Sequence, residues 1–364
     1  MENREFAIKE FLQNRFEQNS FINFVEPMFP SIDKNADIPG DNLESGLFKP
    51  YGIATINRTD ILIAGFETDD VERKSIEKEA IKEYFYRHGD IYVNGILMAV
   101  YSESKDLWKL VFAELNTGER ASLITFKGSF TLGPSVPVRT ATEQLSSLLQ
   151  GVDSIDTLKR AFSIQPLHDK FYKEYRKFFN ELLDHIKKNP ENERFISDLS
   201  SRGYSLESFV QKLLGQLLVL YFIQKKGWLG VPVDQPYGSG DHQFLTTIFN
   251  RALQEGKNYY EAYLKVLFYD TLNNLRDQTT PDYSEVFDCK IPFLNGGLFE
   301  PMYDYRNITL HISNDIFQEI FNVLNTYNFT VEESSSTDSE VAVDPEMLGK
   351  IFENLMSERE RKKS

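Results

Sequence analysis

The stretch SLESFVQKLLGQLLVLYFIQKKGWL, residues 205–229, carries the strongest structural signal in the sequence. Its apolar residues recur every three or four positions and cover most of a helix circumference, which is typical of a helix surrounded by other helices. Both of its ends are too polar for a membrane span. We therefore expect a buried helix at the centre of a helical bundle, and no contact with a membrane.

Most of the chain beyond residue 140 repeats this helical spacing. Apolar residues three and four positions apart occur at 140–152, 155–162, 170–188, 244–254, 259–274 and 314–326, and a final helix is expected at Pro345–Arg359. We therefore predict an all-α helical domain over residues 141–364. The preceding GPSVPVRT, residues 133–140, contains two prolines and a glycine and predicts a linker.

The first 132 residues have a different pattern. Runs rich in β-branched and aromatic residues predict strands, and a helix is expected from Asp69 to Arg87. Asn94-Gly95 lies between two further apolar runs and predicts a type I′ hairpin. The predicted strands are YGIATI at 51–56, DILIAGFE at 60–67, ILMAVY at 96–101, WKLVFAEL at 108–115 and ASLITFKG at 121–128. The sequence thus predicts a small mixed α/β domain at 1–132, and an α+β fold class for the chain.

Composition limits the possible functions. The formal net charge of −15 repels nucleic acid at long range, so a DNA contact needs a local basic face. The single cysteine, Cys289, cannot form an internal disulfide or supply a cysteine metal site by itself. The first five residues lack the apolar core of a secretion signal, so we expect a cytoplasmic protein.

Four stretches of the second half occur in a distinctive order: LGQLLVLYFIQKKGWL at 214–229, IPFLNGGLFE at 291–300, YNFTVEE at 327–333 and VDPEMLGKIFENL at 343–355. Together they resemble the helical connector of type IIG, or fused, restriction-modification enzymes and of phage-exclusion adenine-N6 DNA methyltransferases. FYKEYRKFFNELL at 171–183 resembles an earlier helix of that region, so the likeness covers about residues 160–360. The first 130 residues resemble the N-terminal portion of the family only in arrangement.

The resemblance implies the N-terminal segment of a DNA restriction-modification enzyme of a phage-defence system, truncated before its methyltransferase domain. It implies S-adenosylmethionine and Mg²⁺ for the full-length enzyme, and double-stranded DNA and a downstream methyltransferase domain or subunit as partners. An adenine methylase needs a glycine-rich turn after a strand and an Asn/Asp-Pro-Pro-aromatic loop. This sequence has neither, since Gly238-Ser239-Gly240 follows no predicted strand, and we expect no cofactor in this segment.

Fused members of the family carry a nuclease with an Asp and a Glu-x-Lys, in which carboxylates hold Mg²⁺ and the lysine polarises the attacked phosphate or water. Asp90, Glu103 and Lys105 match this set, with Asp90 and Glu103 as the possible metal ligands. Glu-x-Lys also arises by chance in a chain rich in both residues, as at Glu72-Arg73-Lys74. A solvated surface turn is therefore the alternative for this region.

Asp60 and Glu67 flank the apolar run ILIAGF and form a second possible carboxylate pair. No lysine lies two residues after Glu67. The missing lysine is consistent with a nuclease-like domain that retains the fold but has lost its catalytic residues. It is also consistent with an ordinary strand whose terminal acids are solvated.

A DNA contact is suggested by the helix at 170–188, where basic residues alternate with aromatic ones. The candidates are Lys170, Lys173, Arg176 and Lys177. Acidic residues share the helix, so a solvated face over a core stripe is the alternative. Two other functions stay open for the chain: a non-catalytic protein-binding or scaffolding module of a phage-defence complex, and an independent Mg²⁺-dependent DNA endonuclease.

Overall fold

The computed structural model describes residues 2–73, 75–116, 123–276, 282–294 and 297–329, together with residues 342, 343, 347 and 349. The chain divides into two compact units. The first contains Met1–Asp169 and Asn325–Asn328, and the second contains Lys170–Leu324. A sheet and many helices confirm the predicted α+β class. Most of the predicted helix at Pro345–Arg359 lies outside the described residues.

The first unit is built on a seven-stranded mixed sheet. Its strands are β1 Ile32–Asp33, β2 Asp41–Leu43, β3 Gly46–Ile56, β4 Thr59–Glu67, β5 Gly95–Tyr101, β6 Trp108–Asn116 and β7 Leu123–Leu132. Its helices are α1 Glu2–Gln13, α2 Gln18–Val25, α3 Ile76–Arg87, α4 Arg139–Ser146 and α5 Ile155–Ala161. The strand order is β1-β3-β4-β5-β6-β7, and β2 also pairs with β3.

Strands β4 and β5 run parallel, whereas the other described pairings of this sheet are antiparallel. A parallel pair needs a crossover connection, and α3 lies within it. All seven residues of β5 are buried. Ile96, Met98 and Val100 pack in the core that includes α3, and the alternate residues point to the opposite face. Burial on both faces explains why β5 is a continuous apolar run.

The opposite face of the sheet is covered by the N-terminal helices. Trp108 of β6 is fully buried and lies edge-on to Phe11 of α1, with ring centroids 5.5 Å apart. Its indole N–H donates a hydrogen bond to the Asn14 carbonyl oxygen at 3.0 Å. The buried indole therefore has a polar partner, and the end of α1 is fixed to the sheet.

The first segment of this unit runs from Met1 to Asp169, so the predicted linker at 133–140 lies inside the unit. Helix α4 contacts α1. Beyond α5, the buried ring of Phe162 lies 5.6 Å from the Phe112 ring of β6 and 5.3 Å from the Phe130 ring of β7. Helical residues that the sequence grouped with the all-α domain thus complete the core of the sheet domain.

The predicted hairpin at Asn94-Gly95 is wrong, because Gly95 begins a strand that runs parallel to β4. The Asn94 N–H donates to the Asp60 carbonyl at 2.7 Å, and the Asn94 side-chain oxygen accepts from the Asp60 N–H at 2.9 Å. The Leu115 N–H donates to the Asn94 carbonyl at 2.8 Å. The tight turn lies instead at Asn57-Arg58, whose φ angles of 46° and 66° fit a type I′ hairpin between β3 and β4.

The second unit is mostly helical. Its helices are α6 Gln165–Lys188, which begins in the first unit, α7 Glu193–Ser201, α8 Leu206–Lys225, α9 Phe244–Gln254 and α10 Asn314–Leu324, with π-helical turns at Tyr260–Leu264 and Val266–Leu272. Two short strands, β8 Tyr283–Ser284 and β9 Cys289–Lys290, pair antiparallel. Among the described helices, α8 alone is long and apolar enough to cross a membrane, yet most of its side chains are buried in the protein. This burial is what a core helix shows.

Helix α8 also holds a distant loop through polar side chains. The Lys212 ammonium donates to the carbonyl oxygens of Gly297 and Glu300 at 2.7 and 2.8 Å, and burial lowers the pKa of Lys212. The Gln216 amide, 2% exposed, donates to the Leu298 carbonyl at 2.7 Å. The bond from Gln216 to Leu298 joins two of the stretches that carry the family resemblance, 214–229 and 291–300. Lys212 adds two bonds from the same helix, just before the first stretch.

Gly65 in β4 offers a test of packing at the centre of the sheet. A methyl group on Gly65 would lie 2.1 Å from the Tyr51 hydroxyl oxygen. We predict that Gly65→Ala lowers the free energy of unfolding by about 1–3 kcal/mol, because the tyrosine must move out of a filled space. Urea denaturation measures this, with Gly89→Ala as control, since the nearest atom there is 3.9 Å away. Equal losses in the two variants would contradict the prediction.

Candidate functional site

The carboxyl ends of β4 and β5 meet at one edge of the sheet because these strands are parallel. Glu67 ends β4 and Tyr101 ends β5. The ammonium of Lys49, from the neighbouring strand β3, forms an ion pair with the Glu67 carboxylate. The Tyr101 hydroxyl donates to the same carboxylate oxygen at 3.5 Å. We call Lys49, Tyr51, Glu67 and Tyr101 the strand-end cluster.

The strand-end cluster is partly closed to solvent. The ring of Phe16 stacks on that of Tyr101 with centroids 4.0 Å apart. The side chains of Lys49 and Glu67 are 32% and 27% exposed to solvent. The hydrogen bond to Glu67 raises the pKa of Lys49, and burial, with Tyr101 nearby, raises the pKa of Tyr51. At neutral pH the cluster therefore holds an ammonium against a carboxylate, beside a neutral phenol.

Lys49 was missed by the sequence analysis because it lies 18 residues before its partner. The Glu-x-Lys spacing places both residues on a single strand, and Lys49 also precedes the predicted strand at 51–56. The signal that could have found it is a lysine between apolar residues, in the run GLFKPYGIATI that forms β3. A lysine in such a position needs an acid on an adjacent strand, because a buried ammonium without a partner is costly.

The strand-end cluster does not complete a metal site. Asp60, the second acid predicted for this strand, lies at the other end of β4, about 23 Å away along seven residues of strand. Its carboxylate accepts a hydrogen bond from the Thr55 hydroxyl at 2.7 Å. Across the described part of the chain, no three His, Cys, Asp or Glu side chains lie close enough together to hold an ion. We therefore derive no metal chemistry from the described residues.

The predicted set of Asp90, Glu103 and Lys105 is not brought together. Asp90 precedes β5, whereas Glu103 and Lys105 follow it, and a strand of seven residues spans about 20 Å. The Lys105 ammonium lies 3.1 Å from the carboxylate of Glu72, and both side chains are exposed. This placement favours the solvated turn, and a nuclease site at these residues stays a prediction for the cleavage assay below.

Hydrogen bonds between two loops explain where Glu103 lies. The Asp69 carboxylate accepts from the hydroxyls of Ser102 and Ser104 at 2.7 and 3.0 Å, and these bonds lower the pKa of Asp69. The loop after β5 is thereby tied to the loop after β4. Glu103, between the two serines, is exposed to solvent.

The predicted DNA-binding residues share one side of α6. Lys173, Arg176 and Lys177 are exposed, and Lys170 is half-buried. The buried residues of this helix are Phe171, Tyr175, Phe178, Phe179, Leu182 and Ile186. Lys177 forms an exposed ion pair with Glu181 at 3.4 Å, which contributes little to stability. The structure therefore gives α6 a basic outer face with acids among its cations.

A double-mutant cycle tests the strand-end cluster. We predict that Lys49→Met lowers the free energy of unfolding by about 1–2 kcal/mol, less than for a fully buried pair because solvent screens it. Adding Glu67→Gln should recover most of this loss, since the carboxylate is then gone. The measurement is urea denaturation of both single variants and the double variant. Strictly additive losses would show that Lys49 and Glu67 do not stabilise each other.

The same pair predicts a dependence on pH. Because the pKa of Lys49 is raised above 10.5, its contribution is complete below that pH and is lost as pH rises through the raised value. The difference between the wild type and Lys49→Met should therefore be constant from neutral pH to about 10.5 and shrink above it. A difference that already shrinks between neutral pH and about 10.5 would point to another group.

A DNA cleavage assay with added metal tests whether Asp90, Glu103 and Lys105 form a nuclease site. Because Asp90 lies far from Glu103 and Lys105, we predict that Mg²⁺ or Mn²⁺ produces no plasmid cutting that the double variant Glu103→Ala, Lys105→Ala abolishes. The assay compares the wild type with this variant, with and without metal, by gel electrophoresis. Cutting by the wild type that the variant loses would restore these residues as a nuclease site.

The chain was compared with known proteins. No family model matches it, and no solved structure matches it. It is 32% identical over 164 residues to a protein of Methanocaldococcus jannaschii named "Putative type II restriction enzyme and methyltransferase". The match covers 42% of this chain and 12% of that protein, so the chain corresponds to a small part of its relative. By sequence, this chain is related to a restriction-modification protein.

Proposed function

We propose that this chain is part of a type IIG DNA restriction-modification enzyme, in which it positions DNA and an adenine-N6 methyltransferase domain or subunit. The observation that carries the proposal is the 32% identity to the Methanocaldococcus jannaschii protein. The four stretches that resemble the helical connector of this family support it. Action in the cytoplasm as part of phage defence belongs to the same proposal.

The outer face of α6 is the proposed contact with double-stranded DNA. Lys173 and Lys177 are exposed one helical turn apart, with Arg176 beside them. Lysine and arginine bind phosphates by releasing condensed counterions, which makes affinity fall steeply with salt. In a chain of net charge −15, such a local face is what a DNA contact requires.

The cofactors of the proposed enzyme are not assigned to the described residues. Gly238-Ser239-Gly240 lies in the loop between α8 and α9. No strand directly precedes these three residues. S-adenosylmethionine and Mg²⁺ therefore belong, in this proposal, to other parts of the enzyme.

A protein-binding or scaffolding module is the second candidate. The net charge of −15 favours it, because an acidic surface opposes DNA at long range and leaves protein partners as the alternative. The separation of Asp90 from Glu103 and Lys105 agrees with a first unit that has no nuclease chemistry of its own. The two candidates differ in whether the chain contacts DNA.

Duplex binding at low salt separates the two candidates. We predict that Lys173→Gln, Lys177→Gln lowers the affinity for a fluorescent 30-base-pair duplex and reduces the slope of log K against log salt by about 2. The control, Lys9→Gln, Lys82→Gln, removes the same charge from exposed positions of the first unit and should leave the slope unchanged. Fluorescence anisotropy from about 20 to 200 mM salt gives both quantities.

Equal slopes for the two double variants would remove α6 as the DNA contact. An absence of binding by the wild type, even at the lowest salt, would favour the scaffolding candidate instead.

A further inference from the structure

The loop that follows α8, residues 226–241, is held closed by its own backbone. The N–H groups of Gly238 and Gly240 both donate to the Gly227 carbonyl, at 3.0 and 2.9 Å. A methyl group on Gly227 would lie 2.4 Å from the Gly238 carbonyl oxygen, and one on Gly240 would lie 2.2 Å from that of Leu229. Glycines are therefore required for this closure, and we call the segment the tryptophan loop.

The tryptophan loop presents two aromatic rings to solvent. Trp228 and Tyr237 are each 39% exposed, and their ring centroids lie 6.4 Å apart in an edge-to-face arrangement. The Tyr237 hydroxyl donates to the Asp282 carboxylate at 2.7 Å, which fixes the ring. Two aromatic rings held side by side on the surface offer apolar faces that a flat ligand can cover.

Cations accompany both rings. The Lys226 ammonium lies 5.2 Å from the Trp228 ring centroid, and the Lys290 ammonium lies 5.7 Å from that of Tyr237. Lys225 precedes Lys226 in the chain and is also exposed. Two rings, with Lys226 and Lys290, thus lie together on the surface of the second unit.

The acids around this surface are mostly engaged. The Asp241 carboxylate accepts from the Gln243 N–H at 2.7 Å and from the Thr247 hydroxyl at 2.6 Å, and Asp282 accepts from Tyr237. Asp234 is exposed on the loop. Lys225 and Lys226 are exposed, whereas Asp241 and Asp282 are half-buried and held in hydrogen bonds.

We propose that the tryptophan loop binds unpaired DNA, with Trp228 and Tyr237 stacking on bases and the lysines contacting phosphates. Aromatic rings beside a basic surface are the usual means of holding a single strand without sequence preference. A duplex hides the faces of its bases, so stacking selects nucleotides that have left the helix. This inference rests on the proposed DNA function and adds to it the state of the DNA that this surface holds.

The intrinsic fluorescence of the chain tests the contact directly. The protein has two tryptophans, and Trp108 is fully buried. Titration of the whole chain with a 20-nucleotide oligothymidylate should therefore quench the emission of Trp228 in a saturable manner. The quench should disappear in Trp228→Phe, in which Trp108 alone emits. A quench that persists in Trp228→Phe, or no quench in the wild type, would overturn the assignment.

Affinity measurements separate this inference from the proposed function. Trp228→Ala and Tyr237→Ala should each weaken oligothymidylate binding by about 5- to 150-fold, as expected for one lost stacking contact, and leave duplex affinity nearly unchanged. Tyr204→Ala, a tyrosine 45% exposed elsewhere in the unit, is the control and should have no effect. Unfolding curves of the three variants should show that each is fully folded under the assay conditions.

Three outcomes are informative. Loss of oligothymidylate binding in both loop variants supports the inference. If the loop variants bind like the wild type while Lys173→Gln, Lys177→Gln still weakens duplex binding, the inference fails and the proposed function stands. If the wild type binds neither form of DNA, both fail, and the exposed rings are left as a surface for a protein partner.

Discussion

Parallel pairing of β4 with β5 is the constraint on which the first unit depends. Such a pair cannot be joined by a tight turn, so the chain from Glu67 to Gly95 makes a crossover that includes α3. Both faces of β5 are then buried, and the N-terminal helices cover the face opposite α3. The carboxyl ends of the two strands meet at one edge, and there Glu67 of β4 meets Lys49 of β3. The strand-end cluster is thus a consequence of topology.

The sequence predicted where the strands of the sheet lie better than how they are connected. β-branched runs located the strands, but the hairpin at Asn94-Gly95 failed because three hydrogen bonds to Asp60 and Leu115 place Asn94 between β4 and β6. Local turn propensity is weaker than such a set of bonds. The real turn at Asn57-Arg58 escaped notice because arginine rarely adopts positive φ. The helices at 139–161 lie in the first unit, although the sequence predicted a boundary at 133–140, since periodicity reports an apolar face without reporting what covers it.

Candidate sites were predicted less well, because chemistry depends on which strands are neighbours. A Glu-x-Lys motif assumes that both residues belong to one strand, whereas Glu67 has its lysine across the sheet. The basic face of α6 was easier to predict, since helical spacing fixes which residues share a side. The tryptophan loop could be predicted only in part. Its glycines were visible in the sequence, but their purpose appears only when Gly227 and Gly240 are seen to approach carbonyl groups.

The overall charge and the local surfaces act over different distances. At about 0.1 M salt, exposed charges more than about 10 Å apart are largely screened, so the phosphate contacts proposed for α6 and the tryptophan loop are compatible with a net charge of −15. Before contact, however, an acidic balance slows the approach of DNA and weakens non-specific binding. Under the proposed function, affinity then depends on another contact that holds the DNA nearby. The proposal therefore requires a partner domain that has already bound the duplex.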